Sequence, residues 1–294
     1  MRSLSAILFP KENDRNERQN PIPHDLAAFQ AHLLQEEKSP ATVEKYLRDC
    51  RTFLAFAAGS PVTKALTVAY KQHLQERGYA LRSVNSMLAS LNSLLSFLGC
   101  PDCRVKALRC QRQLYCPEEK SLTREEYLRL LEASGKDRQL NLILQTIYAT
   151  GIRVSELRHF TVEAVLQGDI TVRCKNKTRT ILVPGKLKKA LLSFAKKTGR
   201  KSGPIFVTKS GNPLDRSSIW ARMKGLCAAA KVNPAKVFPH NLRKLFARTF
   251  YNIEKDIAKL ADILGHSSIE TTRIYIMSTV TEHRRRIERL GLVL

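Results

Sequence analysis

Between residues 99 and 120 the hydrophobic periodicity of this chain breaks down, and that break limits the folds open to it more than any other feature. Gly99 to Lys120 is rich in Cys, Arg, Lys and Pro and has little repeat. Such a segment offers no continuous apolar face to bury. It therefore reads as a connector between two lobes, each with its own core.

Before the break, Asp25 to Leu98 is helical in pattern throughout. Leu26, Phe29, Leu33 and Leu34 mark a first helix. Ser39-Pro40 opens a second, with serine as N-cap and proline at the first helical position. It carries Val43, Tyr46, Leu47, Phe53, Leu54 and Phe56, and stops at Gly59. A third covers 64–75 and ends near Gly78. A fourth covers 81–98, with Val84, Met87, Leu88, Leu91, Leu94, Leu95 and Leu98 on one side. The expected unit is a helical bundle over 23–99, preceded by a flexible leader over 1–22.

After the break, Thr123 and Glu126 have the spacing of a capping box, with Leu122 and Tyr127 placed as a hydrophobic staple. Residues 119–294 then read as mostly helical with one small sheet. Residues 169–173 and 179–183 alternate around a polar turn and predict a hairpin, and 204–208 predicts a third strand. Helices are expected over 186–197, 217–231, 240–251, 257–264 and 269–277, with a last one over 282–290 in a tail of about 279–294.

The formal net charge is +24, from 50 Lys+Arg against 26 Asp+Glu. A field of that size draws polyanions and puts nucleic acid first among partners, without choosing DNA over RNA. A hydrophobic content of 43% argues against wholesale disorder. The apolar patch Ala6-Ile7-Leu8-Phe9 is too short for a secretory core, and no stretch approaches the roughly 20 apolar residues of a membrane span. A cytoplasmic location is expected. Seven cysteines, an odd number, favour reduced thiols. Four of them cluster at Cys100, Cys103, Cys110 and Cys116. Their first pair has the spacing of a zinc half-site, but the six-residue spacing of the second is not a usual knuckle, so metal binding there stays open.

Five short motifs in the second half carry the chemistry. They are the run Ala149 to Leu157 around Arg153, the basic turn around Lys175, His240-Asn241-Leu242-Arg243, Leu264-Gly265-His266, and Tyr275, nine residues beyond His266. Arg153 and Arg243 supply forked, permanently charged guanidiniums suited to phosphate oxygens. Glu156, three residues beyond Arg153, is placed to orient it. His240 and Arg243 share a helix face at i and i+3. Each motif alone has a plainer reading: a surface Arg-Glu pair, a chance His-x-x-Arg, a capping histidine, a core tyrosine. Together they supply two guanidiniums, two imidazoles, an ammonium and a phenol. That is the set needed for a side chain to attack a phosphodiester without a metal.

In order and spacing the set closely resembles the tyrosine recombinase (phage integrase) family, and within it the short Xer-like members. The resemblance runs from about Asp25 to the tail. It implies a mainly α fold with a small antiparallel sheet, built as a two-lobed, C-shaped clamp on duplex DNA. A helical core-binding domain (23–99) would be joined by a basic linker (100–118) to an α+β catalytic domain (119–294). It implies a site-specific DNA recombinase in which Tyr275 is the nucleophile and Arg153, Lys175, His240, Arg243 and His266 complete the site, with no metal and no cofactor. A 3′-phosphotyrosine and a four-way junction would follow. The target would carry inverted repeats, and the working assembly would be a homotetramer on two paired sites, formed from a free monomer or weak dimer, with a second recombinase or accessory factor left open. Integration, excision, inversion and dimer resolution all fit, as does a place in a mobile element.

Two departures matter. The family turn reads Gly-Lys-Gly-x-Lys, whereas Cys174-Lys175-Asn176-Lys177 is one residue shorter, so Lys177 competes with Lys175. Lys244 stands where a histidine is common. Arg104, Lys106, Arg109 and Arg112, with Lys177 and Arg179 of the hairpin, are expected to follow phosphates. Two other classes fit less well: a type IB topoisomerase, and a non-catalytic DNA-binding regulator on the same scaffold.

Overall fold

The computed structural model describes residues 23–109, 115–174 and 177–292, less the side chains at 23–25, 173, 174 and 177. The fold is mainly helical with one two-stranded antiparallel sheet, the class the sequence led us to expect. The chain forms two compact units that divide between Arg112 and Gln113. The leader over 1–22 lies outside the described residues.

The first unit is built from α1 (Pro23–Gln35), α2 (Pro40–Ala57), α3 (Lys64–Glu76) and α4 (Leu81–Phe97). Ser39 caps α2 as expected, its hydroxyl accepting from the Thr42 N–H at 3.3 Å. The helix stops one residue early, at Ala58, which takes a left-handed conformation with φ +46°. The apolar stripe of α4 supplies the centre of the unit. Val84, Leu88, Leu91 and Leu95 pack with Phe53, Tyr70 and Leu74, while Leu94 joins Phe29, Leu33 and Leu47.

The basic stretch that follows α4 is laid against it. Asn92 clips Val105 on both sides: its Oδ1 accepts from Val105 N–H at 2.9 Å and its Nδ2 donates to Val105 C=O at 2.8 Å. One heptad earlier, Asn85 holds Leu108 in the same way at 2.7 and 2.9 Å. Val105 is buried, and Arg104, Lys106 and Arg109 point to solvent. Cys100 and Cys103 are buried thiols whose sulfurs face the carbonyls of Leu98 and Val62. Among the described residues no three His, Cys, Asp or Glu side chains are grouped to hold a metal ion; Cys110 and Arg112 lie outside them.

The second unit opens on α5 (Arg124–Ala133). Its capping box forms as expected: Thr123 N–H donates to Glu126 at 2.8 Å, and Glu126 N–H donates to Thr123 Oγ1 at 3.2 Å. The central helix is α6 (Arg138–Thr150), in which Leu140, Leu142, Ile143, Leu144 and Ile147 are all buried. A 3-10 turn (Val154–His159) and α7 (Val162–Gln167) lead to β1 (Asp169–Cys174) and β2 (Lys177–Leu182). The strands pair from Asp169↔Leu182 to Cys174↔Lys177, so the hairpin reaches further toward its tip than the alternation alone suggested.

The third strand expected over 204–208 does not form. That segment makes isolated bridges instead, Thr161↔Pro204 and Val207↔Pro213. Proline at both bridges removes a donor, so neither extends into a ladder. Ile205, Phe206 and Val207 are buried all the same, which is the apolar signal the sequence carried. Next come α8 (Gly185–Lys197), α9 (Arg216–Gly225) and α10 (Cys227–Ala230). One helix was expected over 217–231; it is interrupted after Gly225, a residue that weakens helix propagation. The chain ends with α11 (Pro239–Glu254), α12 (Ile257–Leu264), α13 (Ile269–Ile276) and α14 (Val280–Glu288). None of the described helices is long and apolar enough to cross a membrane.

Candidate active site

The site is assembled where α6, α11, α12 and α13 meet, and two glycines permit the approach. Gly151 ends α6 with φ +63°, and a Cβ there would sit 2.3 Å from the Phe246 ring. Gly265 ends α12, also at φ +63°, and a Cβ there would lie 2.7 Å from Arg179 Cδ. Both left-handed turns are reachable by glycine at little cost. The first turn delivers Arg153 and the second delivers His266.

Arg243, on α11, is the centre of the arrangement, and its side chain is fully buried. One terminal nitrogen donates to the Gly151 carbonyl, and the other to the Leu264 carbonyl at 2.6 Å. The second nitrogen also lies 3.1 Å from His266 Nε2. Its Nε is buried with no hydrogen-bond partner among the described residues. Burial, followed by the charge of Arg153, lowers the guanidinium to about 10. The Arg243 Cζ lies 5.8 Å from the centre of the Tyr275 ring.

Tyr275, on α13, is half-buried and held between two imidazoles. The His240 ring meets it edge-on at 5.0 Å and the His266 ring at 4.7 Å. His266 Nδ1 lies 2.9 Å from the hydroxyl of Thr272, which is fully buried. Burial foremost, then the charges of Arg243, Arg153 and Arg179, holds His266 down to about 4. His240 is held to about 4 by desolvation and by Lys244, Arg243, Arg153 and Arg216. Both rings are therefore neutral near pH 7, with one donor and one acceptor nitrogen each.

Arg153 is fixed through Glu156, which is almost wholly buried. The Arg153 N–H donates to Glu156 Oε2 at 2.7 Å and its guanidinium reaches Oε1 at 3.2 Å, while the other terminal nitrogen faces the Gly265 carbonyl at 3.4 Å. Arg153, His240 and Arg243 line one cleft of roughly 370 Å³ together with Arg216 and Trp220. The geometry gathers five of the six residues singled out for chemistry. Lys175 lies outside the described residues, as does the side chain of Lys177.

Arg179 is placed differently from expectation. It does not face solvent as a phosphate contact. Its side chain is 9% exposed, and its guanidinium donates to Glu156 Oε2 at 2.6 Å and to the Ile263 carbonyl. The signal was present in the strand alternation: Arg179 shares a face with Ile181, which is buried, and pairs with buried Val172. Thr272, Arg216 and Trp220 were also missed. Only Thr272 had a legible cue, three residues before Tyr275 on the same helix face. Arg104, Lys106 and Arg109 are exposed on the first unit.

Comparison with known proteins gives this arrangement its context. Residues 120–282 match the phage integrase family, and residues 26–99 match the phage integrase N-terminal SAM-like domain. The chain belongs to the phage integrase family, the tyrosine recombinases. Its similarity runs to the Xer branch: it is 31% identical to the tyrosine recombinase XerA of Pyrococcus furiosus over 276 residues, covering 91% of this chain and 94% of that protein. A crystal structure of XerA recombinase matches with a TM-score of 0.53 at 25% identity, covering 92% of this chain and 99% of that one. A lambda integrase tetramer bound to a Holliday junction shares the fold, with a TM-score of 0.68 at 17% identity, covering 86% of this chain and 76% of that one.

Proposed function

We propose that this recombinase cuts one strand of a duplex target by attack of the Tyr275 hydroxyl on the scissile phosphorus. The products are a 3′-phosphotyrosine and a free 5′ hydroxyl. A partner strand's hydroxyl then attacks the phosphotyrosine, and two such rounds exchange both strands through a four-way junction. The observation that carries this reading is the Tyr275 ring seated between His240 and His266 with Arg243 alongside.

Each group has a role on this reading. Arg153 and Arg243 bind the non-bridging oxygens and offset the charge that grows there. His240, neutral at pH 7, accepts the phenol proton or bonds a phosphate oxygen. His266 holds the far side of the tyrosine. The hairpin lysine, Lys175 or its competitor Lys177, protonates the leaving 5′ oxygen. Glu156 orients Arg153. Catalysis is positioning and charge neutralisation, as in other phosphoryl transfers.

The partner is double-stranded DNA with inverted repeats, and the working assembly is a tetramer on two paired sites. The net charge of +24 supports a polyanionic partner. Residues 23–99 would grip the core site, with 119–294 as the catalytic domain. Exposed Ile287, Leu290 and Leu292 at the end of the chain support docking of the tail on a neighbour.

The test begins by selecting a binding site from randomised duplexes. A version nicked beside the scissile phosphate then lets the short product diffuse away and traps the adduct. The wild-type chain is expected to give a covalent complex, and Tyr275→Phe none, at nearly unchanged affinity. Relaxation of plasmids lacking the site, without recombinants, would instead favour a topoisomerase.

A further inference from the structure

A carboxylate that orients an arginine has itself to be held, and the group that holds Glu156 comes from the hairpin. Glu156 is 3% exposed. Its Oε2 accepts from the Arg153 backbone N–H at 2.7 Å and from a terminal nitrogen of Arg179 at 2.6 Å, which leaves Oε1 for the Arg153 guanidinium at 3.2 Å. The other terminal nitrogen of Arg179 donates to the Ile263 carbonyl in the last turn of α12. Arg179 reaches both acceptors by lying across Gly265, where a Cβ would come within 2.7 Å of its Cδ. Its Nε is buried with no hydrogen-bond partner among the described residues, so the whole guanidinium is committed inward. Arg179 stands on β2, two residues beyond Lys177 and four beyond Lys175.

We propose that Arg179 is a positioning residue for strand cleavage: it locks Oε2 of Glu156, so that Oε1 holds the Arg153 guanidinium in place for the scissile phosphate. The inference rests on the reading that Tyr275 cleaves a phosphodiester in this site. A buried carboxylate held by one cation can still turn about its last bond; a second, buried guanidinium removes that freedom and compensates the charge. The fork matters because the two acceptors, Glu156 and the Ile263 carbonyl, lie on different elements. A lysine is a point charge and does not reproduce that two-pronged reach. The base of the hairpin is thereby tied both to the turn that carries Arg153 and to the end of α12. Arg179 itself touches no phosphate on this account, so it governs the rate of cleavage and not the affinity for DNA.

Three variants of the full chain separate this from a packing role. Arg179→Lys keeps the charge and loses the fork. Arg179→Met paired with Glu156→Gln removes both charges, so no unpaired ion is left buried. Glu156→Gln alone completes the comparison. Rates of adduct formation are measured on the nicked duplex. Arg179→Lys is expected to slow cleavage about tenfold, the loss of one charge-assisted hydrogen bond, with DNA affinity within about threefold of wild type. The paired variant is expected to cleave no more slowly than Glu156→Gln, because Arg179 acts through that carboxylate. A duplex with a methylphosphonate at the scissile position lacks the negative charge that Arg153 offsets. On it the gap between wild type and Arg179→Lys should close to within about threefold, whereas a packing defect would persist.

A gap of the same size on both duplexes overturns the proposal, and so does a paired variant about tenfold slower than Glu156→Gln. If the gap closes instead on a duplex with sulfur as the bridging 5′ atom, whose thiolate leaves without a proton, Arg179 acts through the hairpin lysine and the route through Arg153 is wrong. In isotope-labelled protein without DNA, the side-chain N–H signal of Arg153, assigned with Arg153→Lys, should be sharp in the wild type and broadened in Arg179→Lys. An unchanged signal overturns the proposal even where no adduct forms at Tyr275, an outcome that by itself removes only the nucleophile.

Discussion

At the scale of single residues, the site depends on close approaches that leave little freedom. Arg243 is buried against two helix-end carbonyls, those of Gly151 and Leu264, and this is possible only because the chain turns left-handed at residues 151 and 265. Gly151→Ala adds a Cβ that would sit 2.3 Å from the Phe246 ring, at φ +63°. Left-handed backbone costs a residue with a side chain on the order of 1 kcal/mol, and overpacking costs about 1–3 kcal/mol more. A drop of that size in chemical-denaturation stability is expected, and an unchanged midpoint would contradict the packing described. The two histidines predict a pH dependence. His240 and His266 are lowered from 6.5 to about 4 in the folded chain. Between those values the unfolded chain binds more protons than the folded one, so folding weakens as pH falls through that window. The DNA-free chain should melt at progressively lower temperature from neutral pH down toward 4, and His266→Gln should flatten the slope. A melting temperature that does not vary over this range would count against both burials.

At the scale of elements, the basic stretch after α4 is held by burial of Cys100, Cys103 and Val105 in the first unit's core and by two asparagines of α4. Asn85 and Asn92 each exchange two hydrogen bonds with its backbone. Replacing either by alanine removes two bonds that contribute about 1 kcal/mol each. Trypsin should then cut faster after Arg104, Lys106 or Arg109, and an unaltered cleavage rate would show that other contacts hold the segment. These clips were invisible in the sequence because a half-buried helix amide has many equivalent partners. What was legible were features with local causes. Ser39-Pro40 starts α2, Thr123 and Glu126 close a capping box, and the periodicity of α4 marks its buried stripe. Leu264-Gly265-His266 announced a helix end, and the end is there. What was not legible depended on partners far along the chain. The apolar run over 204–208 is buried as a loop rather than as a strand, because its neighbours are prolines. Arg179 turns inward because Glu156 and the end of α12 are there to receive it. The convergence of Arg153, His240, Arg243, His266 and Tyr275 could be inferred from motif order, but the identity of the group holding His266 required the fold.

At the scale of the whole molecule, a net charge of +24 sets how the chain meets DNA before any site is recognised. Affinity for an arbitrary duplex should fall steeply and linearly on a log–log plot against salt, since each neutralised phosphate releases counterions. A salt-independent affinity would remove phosphate contact as the source of binding. The tail makes a separate prediction. Removing 280–294 deletes the exposed Ile287, Leu290 and Leu292 but leaves the Tyr275 site in place. Single-strand cleavage is expected to persist while assembly on paired sites is impaired; normal recombination by the shortened chain would remove the tail from the account. The central claim is that the phenol of residue 275 forms the bond to DNA. It is tested most directly by digesting the trapped adduct and sequencing the nucleotide-bearing peptide by mass spectrometry. The account predicts a single modified residue, Tyr275, within the α13 peptide. A nucleotide found on any other side chain would contradict it.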